Sequence, residues 1–258
     1  MCYTYIRWWY LEALVTGASS GIGRDIAINL SNRGYDLVLV SRDKNKLLET
    51  SKLCKTNTII EALDISDVDN CKKLFNKYKD IDILVNNAGF GLFGRFDETD
   101  LDKELNMVDL NVKAVHVLTK LYLNEMIKKD KGYILNVASI AAFFQGPLLN
   151  TYYATKSYVY SLTTAIYEEL RRINSNVKVS VLCPGPVNTN FNNVANVTFA
   201  LKGMEIKYVA DYAIDKMFKN KLVIIPGFMN KLGVFMRRFA PLKILLRIIY
   251  NTQKKKGK

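Results

Sequence analysis

Histidine is nearly absent from this 258-residue chain, which has one, His116. Any metal site or acid–base scheme that needs two imidazoles is thereby excluded, and no metal site is expected. Cysteine is scarce as well. Cys2, Cys54, Cys71 and Cys183 lie far apart and form no C-x-x-C pair, which reads as reduced, mostly buried thiols of an intracellular protein. Acidic residues stop at Asp215: Lys216 to Lys258 holds twelve Lys or Arg and no Asp or Glu. The formal excess of +13 therefore sits almost wholly at the C-terminal end, and the first 215 residues balance 25 basic against 24 acidic groups. A nucleic-acid-binding domain spreads its basic charge over a folded surface. No basic–aromatic recognition motif is present either, so no nucleic-acid partner is expected.

Long apolar runs are missing too. The longest uncharged stretch, Gly132 to Thr155, would put Asn136, Gln145 and Asn150 into hydrocarbon if it crossed a bilayer, which is costly. It reads instead as a buried strand, a loop and a helix start. Met1 to Glu12 is short, aromatic and interrupted by Arg7, with no small-residue cleavage site. No secretory signal is expected, and the expected location is cytoplasmic. Trp8, Trp9 and Tyr10 in this segment read as a strand-edge extension, a loose tail or a partner contact.

What is present is core material. With 49% hydrophobic residues and 11% aromatics, the chain can bury a substantial interior, and global disorder is excluded. Strand-like runs at Ala13–Thr16, Asp36–Val40, Thr58–Leu63, Ile81–Val85, Tyr133–Val137, Val177–Leu182 and Leu222–Ile225 alternate with helical segments. The first helix carries Ile22, Ile26 and Leu30 on one face and stops at Gly34. A second puts Leu47, Leu48 and Cys54 on one side. A third starts at Ser66 and carries Val68, Leu74 and Phe75, and long helices follow at Leu101–Lys129 and Tyr152–Ile173. Near-continuous apolar strands between amphipathic helices predict an α/β fold: a Rossmann-type, doubly wound parallel sheet of about seven strands with helices on both faces. Three segments are expected: an N-terminal extension over 1–12, one α/β domain over 13–227 with a loop at 190–215, and a basic amphipathic tail over 228–258.

The first strand runs into Thr16-Gly17-Ala18-Ser19-Ser20-Gly21-Ile22-Gly23. Glycines at a strand-to-helix turn let backbone approach a diphosphate, and the helix start supplies N–H groups and a favourable dipole. The spacing is G-x-x-x-G-x-G rather than G-x-G-x-x-G. Tyr152 and Lys156 are four apart on a helix and share a face, so a phenol and an ammonium can enter one cleft. A nearby cation lowers a phenol's pKa and makes proton exchange near neutrality feasible. Asn111 sits inside a helical stretch, where an asparagine is mildly unfavourable and needs another reason to be there.

Together with Asn86-Asn87-Ala88-Gly89, Leu110-Asn111-Val112, Ser139 thirteen residues before Tyr152, and Pro184-Gly185-Pro186-Val187, these motifs stand in the order found in the short-chain dehydrogenase/reductase family. The resemblance runs from about Ala13 to Phe191 and implies that 13–227 is a dinucleotide-binding catalytic domain whose substrate loop is 190–215. Around Phe143 to Lys156 the chain is similar to bacterial members related to ketoacyl and hydroxysteroid reductases. The resemblance implies a catalytic set of Asn111, Ser139, Tyr152 and Lys156, with hydride passing between nicotinamide C4 and a substrate carbonyl carbon while Tyr152 handles the proton. It also implies cofactor contacts from Gly17, Ser19, Ser20, Gly21, Ile22, Gly23, Asn87, Ala88, Gly89, Tyr152, Lys156, Pro184, Gly185 and Val187, with Asp64 at the adenine and Thr189 at the nicotinamide amide.

Cofactor choice is read at the end of the second strand. An NAD site places an acid there for the ribose hydroxyls. This chain has Ser41 and then Arg42, whose planar fork suits a phosphate, so NADP(H) is favoured over NAD(H). Asp43, next in sequence, can neutralise Arg42, and a merely solvated Arg42 is the alternative. Phe90, Phe93, Phe96, Phe143, Phe144 and Leu148 can form an apolar substrate pocket or simply pack. The expected function is an NADP(H)-dependent oxidoreductase acting on a carbonyl or secondary alcohol of apolar or acyl type. The alternative is a dinucleotide-binding sensor or scaffold without turnover. Family likeness also implies a homodimer or homotetramer built through the two long helices. In the tail, Lys231 and Arg238, and Lys243 and Arg247, share helical faces, and Pro241 separates two helical pieces. Such a segment can lie on an anionic membrane surface, here the inner one, or it can cover the pocket or a subunit contact.

Overall fold

The computed structural model describes residues 11–188 and 203–254. Its centre is a seven-stranded sheet in the order β3-β2-β1-β4-β5-β6-β7, with every pair parallel. The strands are β1 (Glu12–Thr16), β2 (Asp36–Ser41), β3 (Thr58–Ala62), β4 (Ile83–Asn86), β5 (Tyr133–Val137), β6 (Lys178–Leu182) and β7 (Val223–Ile224). All seven fall within a residue or two of the positions read from the sequence.

The inner strands are mostly apolar because both faces are covered, whereas the edge strand β3 leaves Ile59 45% exposed. Ala13 and Val15 of β1 join one core cluster, while Leu14 between them joins the other. Helices α1 (Gly21–Asn32) and α7 (Ile206–Phe218) close the first face with Ile26, Leu30, Val209 and Ala213. Helices α3 (Val68–Lys77), α5 (Val115–Lys129) and α6 (Asn150–Arg172) close the second with Leu74, Leu118, Tyr122, Met126 and Leu170. Each such aliphatic side chain stabilises the fold by about 1.5–3 kcal/mol on burial.

Several expectations are corrected. In α2 (Lys44–Lys52), Leu47 is buried but Leu48 is 41% exposed, one position round the helix, and Cys54 lies beyond its end. The third helix starts at Val68 rather than Ser66, because Asp67 caps it while Ser66 is held by the Asp64 carboxylate. The stretch from 206 to 215 belongs to α7, whose apolar face is core, so the expected substrate loop ends by Glu205; its residues 190–202 lie outside the described ones. The helix over 101–129 is divided. Helix α4 (Leu101–Val108) widens into a π-helical turn at Asp109–Ala114 before α5, and Asn111 sits in that turn. In the tail, α8 (Phe228–Met236) and a short 3-10 turn precede Pro241, and α9 (Leu242–Lys254) follows it, so the proline does divide two helical pieces.

The strand order reverses between β1 and β4. In an open parallel sheet, ligands bind at the carboxyl ends beside that switch point.

Candidate active site

A cleft of about 640 Å³ opens there. One end is built by the turn after β1. Gly17 has a φ of +66°, and a Cβ on Gly23 would come within 2.4 Å of the Gly17 carbonyl and 2.3 Å of Asn87 Nδ2. Only hydrogen fits at Gly23, which is how α1 can start so close to the turn. Asn87 ties the turn to β4, donating from Nδ2 to the Thr16 carbonyl at 3.0 Å. Thr16 Oγ1 accepts from the Asn87 and Ala88 amides at 2.9 and 3.1 Å. Whereas α2, α3 and α4 are each capped by an aspartate, no side chain caps α1. Its first residues, Gly21 and Ile22, line the cleft with Ser19 and Ser20.

The tip of β2 places Arg42, Asp43 and Lys46 on the same wall. Asp43 does not neutralise Arg42. Its carboxylate accepts from the Lys46 amide at 3.1 Å as the cap of α2, and lies 3.5 Å from Lys46 Nζ. That backbone hydrogen bond is the largest cause of its lowered pKa. Arg42 instead reaches toward Asp64, at 3.8 Å, and stays exposed.

The other end carries the expected chemistry. Ser139 follows β5, where its hydroxyl accepts from the Ala141 amide at 3.1 Å and caps a 3-10 turn over Ile140–Phe143. Tyr152 and Lys156, one turn apart on α6, enter the cleft beside it. Lys156 is buried, donates to the Val137 carbonyl at 3.0 Å, and has its Nζ 5.8 Å from the Tyr152 ring centre. The expected lowering of the Tyr152 pKa is not what this arrangement does. Desolvation pushes the phenol well above its ordinary value, and the Ser139 hydrogen bond opposes that only in part. Burial likewise disfavours the Lys156 cation and brings its pKa down to about 8. Cys183, beneath them, is pushed up to about 12 by burial and is no nucleophile at neutral pH.

Asn111 is fully buried behind Gly89 rather than on the cleft wall. Its Oδ1 accepts from the Phe90 amide at 3.1 Å, while its Nδ2 donates to the Phe90 carbonyl at 2.8 Å and to Thr155 Oγ1 at 3.1 Å. It fastens the loop after β4 to α6, which is the reason an asparagine sits in a helix there. The π turn is the local widening that accommodates it. Gly23 likewise lies under the cleft, not on it. The remaining expected contacts, Gly17, Asp64, Asn87, Ala88, Gly89, Pro184, Gly185 and Val187, all line it, and Thr189 lies outside the described residues.

Of the apolar residues considered for a substrate pocket, Phe90 lines the cleft, but Phe143 packs on Tyr160 in the core and Phe96 is 69% exposed. Leu149, Tyr153 and Gln253 line it instead. Tyr153 follows directly on Tyr152 in sequence with no pattern of its own, and Gln253, a neutral residue in a basic helix, carries no local signal of a site.

A doubly wound sheet with an open glycine turn at its switch point, and a Ser–Tyr–Lys cluster in the same cleft, defines a dinucleotide-binding oxidoreductase. The chain matches the family model for short chain dehydrogenases over residues 12–198, and it belongs to that family. It is 34% identical over 210 residues, 78% of its own length and 88% of the relative's, to an uncharacterised oxidoreductase of Staphylococcus saprophyticus. It is 35% identical over 169 residues to a very-long-chain 3-oxoacyl-CoA reductase of Macaca fascicularis, covering 62% of this chain and 54% of that one. Among solved structures, a short-chain dehydrogenase from Sphingobium yanoikuyae in complex with NADPH superposes with a TM-score of 0.79 at 26% identity, over 89% of this chain and 94% of that one. Structures of this fold carry NADPH or NAD.

Proposed function

We propose that the protein is an NADP(H)-dependent oxidoreductase that interconverts a carbonyl and a secondary alcohol on a substrate of apolar or acyl type. The observation that carries this is the shared cleft: Ser139, Tyr152 and Lys156 at one end, the uncapped start of α1 and Arg42 at the other. The glycine turn leaves room for a diphosphate, since a Cβ at Gly17 or Gly23 would fill the cradle. Arg42, with Asp43 committed to capping α2, is free to turn from Asp64 to a ribose phosphate. When bound, the nicotinamide supplies the hydride.

The chain's own residues supply position and a proton. Ser139 Oγ holds the substrate oxygen. Tyr152, kept protonated by burial, is the acid that delivers a proton to that oxygen in the reductive direction. Lys156 answers the developing phenolate and reaches the cofactor ribose. Asn111 keeps α6 and the loop after β4 in register. An acyl-type substrate is supported by the likeness to the 3-oxoacyl-CoA reductase and by the apolar side chains of Phe90, Ile140 and Leu149 in the cleft.

The test is oxidation of NADPH and of NADH across ketones, β-ketoacyl esters and aldehydes. Turnover with NADPH at about tenfold or greater preference over NADH is the expected result. Dinucleotide binding with no turnover on any carbonyl would instead mark a sensor or scaffold.

A membrane-surface location is supported by the tail. Phe228, Met229, Phe235, Phe239 and Ile248 are exposed among Lys231, Arg237, Lys243 and Arg247, with no acid nearby in sequence. No described helix is long and apolar enough to cross a membrane. Sedimentation with anionic liposomes should lose the protein when Lys231, Arg238, Lys243 and Arg247 are all changed to Ser; undiminished binding overturns this location. A homodimer or homotetramer paired through the outer faces of α5 and α6 is supported by exposed Tyr158 and Tyr167 on α6. Light scattering on the purified chain should give at least twice the monomer mass.

A further inference from the structure

Among the described residues, the tail reaches the cleft at one residue. Helix α9 half-buries Leu245, Leu246 and Ile249 and fully buries Gln253, which is 2% exposed and lines the same cleft as Ser139, Tyr152 and Lys156. Its Nε2 lies 2.6 Å from the Tyr153 hydroxyl, while its Oε1 is buried with no hydrogen-bond partner among the described residues. A phenol both donates and accepts, so turning the amide over keeps the Tyr153 bond and leaves the other end of the amide without a partner.

Tyr153 is itself held in place. Its ring lies flat against Gly146, where a Cβ would meet ring carbons at 2.4 Å, and edge-on to Tyr152 with centres 6.1 Å apart. Burial raises its pKa to about 12, so it stays a neutral phenol. A rigid tyrosine thus fixes one end of a buried amide beside the catalytic tyrosine and leaves the other end open. Leaving a buried polar atom without a partner is costly, and a partner supplied by the substrate removes that cost.

We propose that Gln253, aligned by Tyr153, is a substrate-positioning residue that hydrogen-bonds a second, neutral polar group, such as a hydroxyl or an amide, on an otherwise apolar carbonyl substrate. The group is neutral because the amide carries no charge. The other charged residues of the cleft, Arg42, Asp43, Lys46 and Asp64, stand at its dinucleotide end, apart from Lys156. This inference rests on the oxidoreductase reading and deepens it.

The test uses the full chain saturated with NADPH and three methyl ketones of equal length whose far end is a methyl, a hydroxyl or a primary carboxamide. Wild type should show a KM about tenfold lower for the hydroxyl or carboxamide ketone than for the methyl one. Gln253→Leu should bring that ratio to within twofold, and Tyr153→Phe should shrink the ratio in the same direction. A residue that merely pins α9 would shift the melting temperature and leave the ratio alone. Should Gln253→Leu fail to fold, the near-isosteric Gln253→Glu should favour a ketone ending in an ammonium group by about tenfold. An active wild type whose ratio is near one, or is unchanged by these substitutions, overturns the inference alone. An NADPH-bound wild type inactive on every ketone overturns the oxidoreductase reading with it.

Discussion

The body of the protein and its C-terminal segment use similar amphipathic helices for opposite ends. Helix α1 buries Ile26 and Leu30 completely against the sheet, whereas α8 buries no residue and leaves Phe228 75% and Met229 73% exposed. The body needs its helices to cover both faces of a parallel sheet, and with them removed the strands would face water. The tail meets the body at few points. Val234 packs by the turn after Ser139, Asn230 sits over Gly185, and Gln253 bonds Tyr153. All its formal charge is positive, while the body is nearly neutral. Apolar side chains therefore build the fold in one region and a surface beside the cleft in the other.

The largest effect that sharpens this contrast belongs to Lys156. Lys156→Met should lower kcat/KM by about 10²- to 10³-fold through loss of the cation beside the acid. The same substitution has a pH signature. The folded-state value of about 8 lies below the ordinary 10.5, so between those pH values the unfolded chain binds more protons. Wild-type stability should therefore rise from pH 8 toward 10.5, and the Met variant should lack that component of the rise, read from melting curves of the cofactor-free protein.

Next comes the fold itself. Leu30→Ala should cost about 2–5 kcal/mol in chemical denaturation, as core truncations do. Arg42→Ser should raise the KM for NADPH roughly tenfold, the value of one exposed charge-assisted contact, and leave that for NADH within about twofold. Smallest of all, Phe228→Ser should change stability by no more than about 0.5 kcal/mol. A cost near that of Leu30→Ala would mean that α8 belongs to the core after all.

The strands were legible because burial on both faces leaves continuous apolar runs such as Leu37–Val40. The two ends of the cleft were legible because the chemistry needs glycines at a turn and Tyr and Lys one helical turn apart. Other features depend on distant partners. Asp43 reads as a neutraliser of Arg42 until the start of α2 is seen to claim its carboxylate. The Tyr152 pKa depends on desolvation by elements far along the chain, and a nearby lysine in sequence says nothing of that. Phe143 and Phe90 look alike in composition, yet only the second faces the cleft. Gln253, a hundred residues from Tyr153, has no pattern around it that points to a site.

The central claim is that Tyr152 is the proton donor of a carbonyl reductase, and the direct measurement is the Tyr152→Phe variant on whichever carbonyl the wild type reduces. NADPH binding, titrated by its fluorescence, should stay within about twofold of wild type, while kcat falls by about 10³-fold or more. Turnover that survives the loss of the phenol, with the cofactor still bound, would contradict the account.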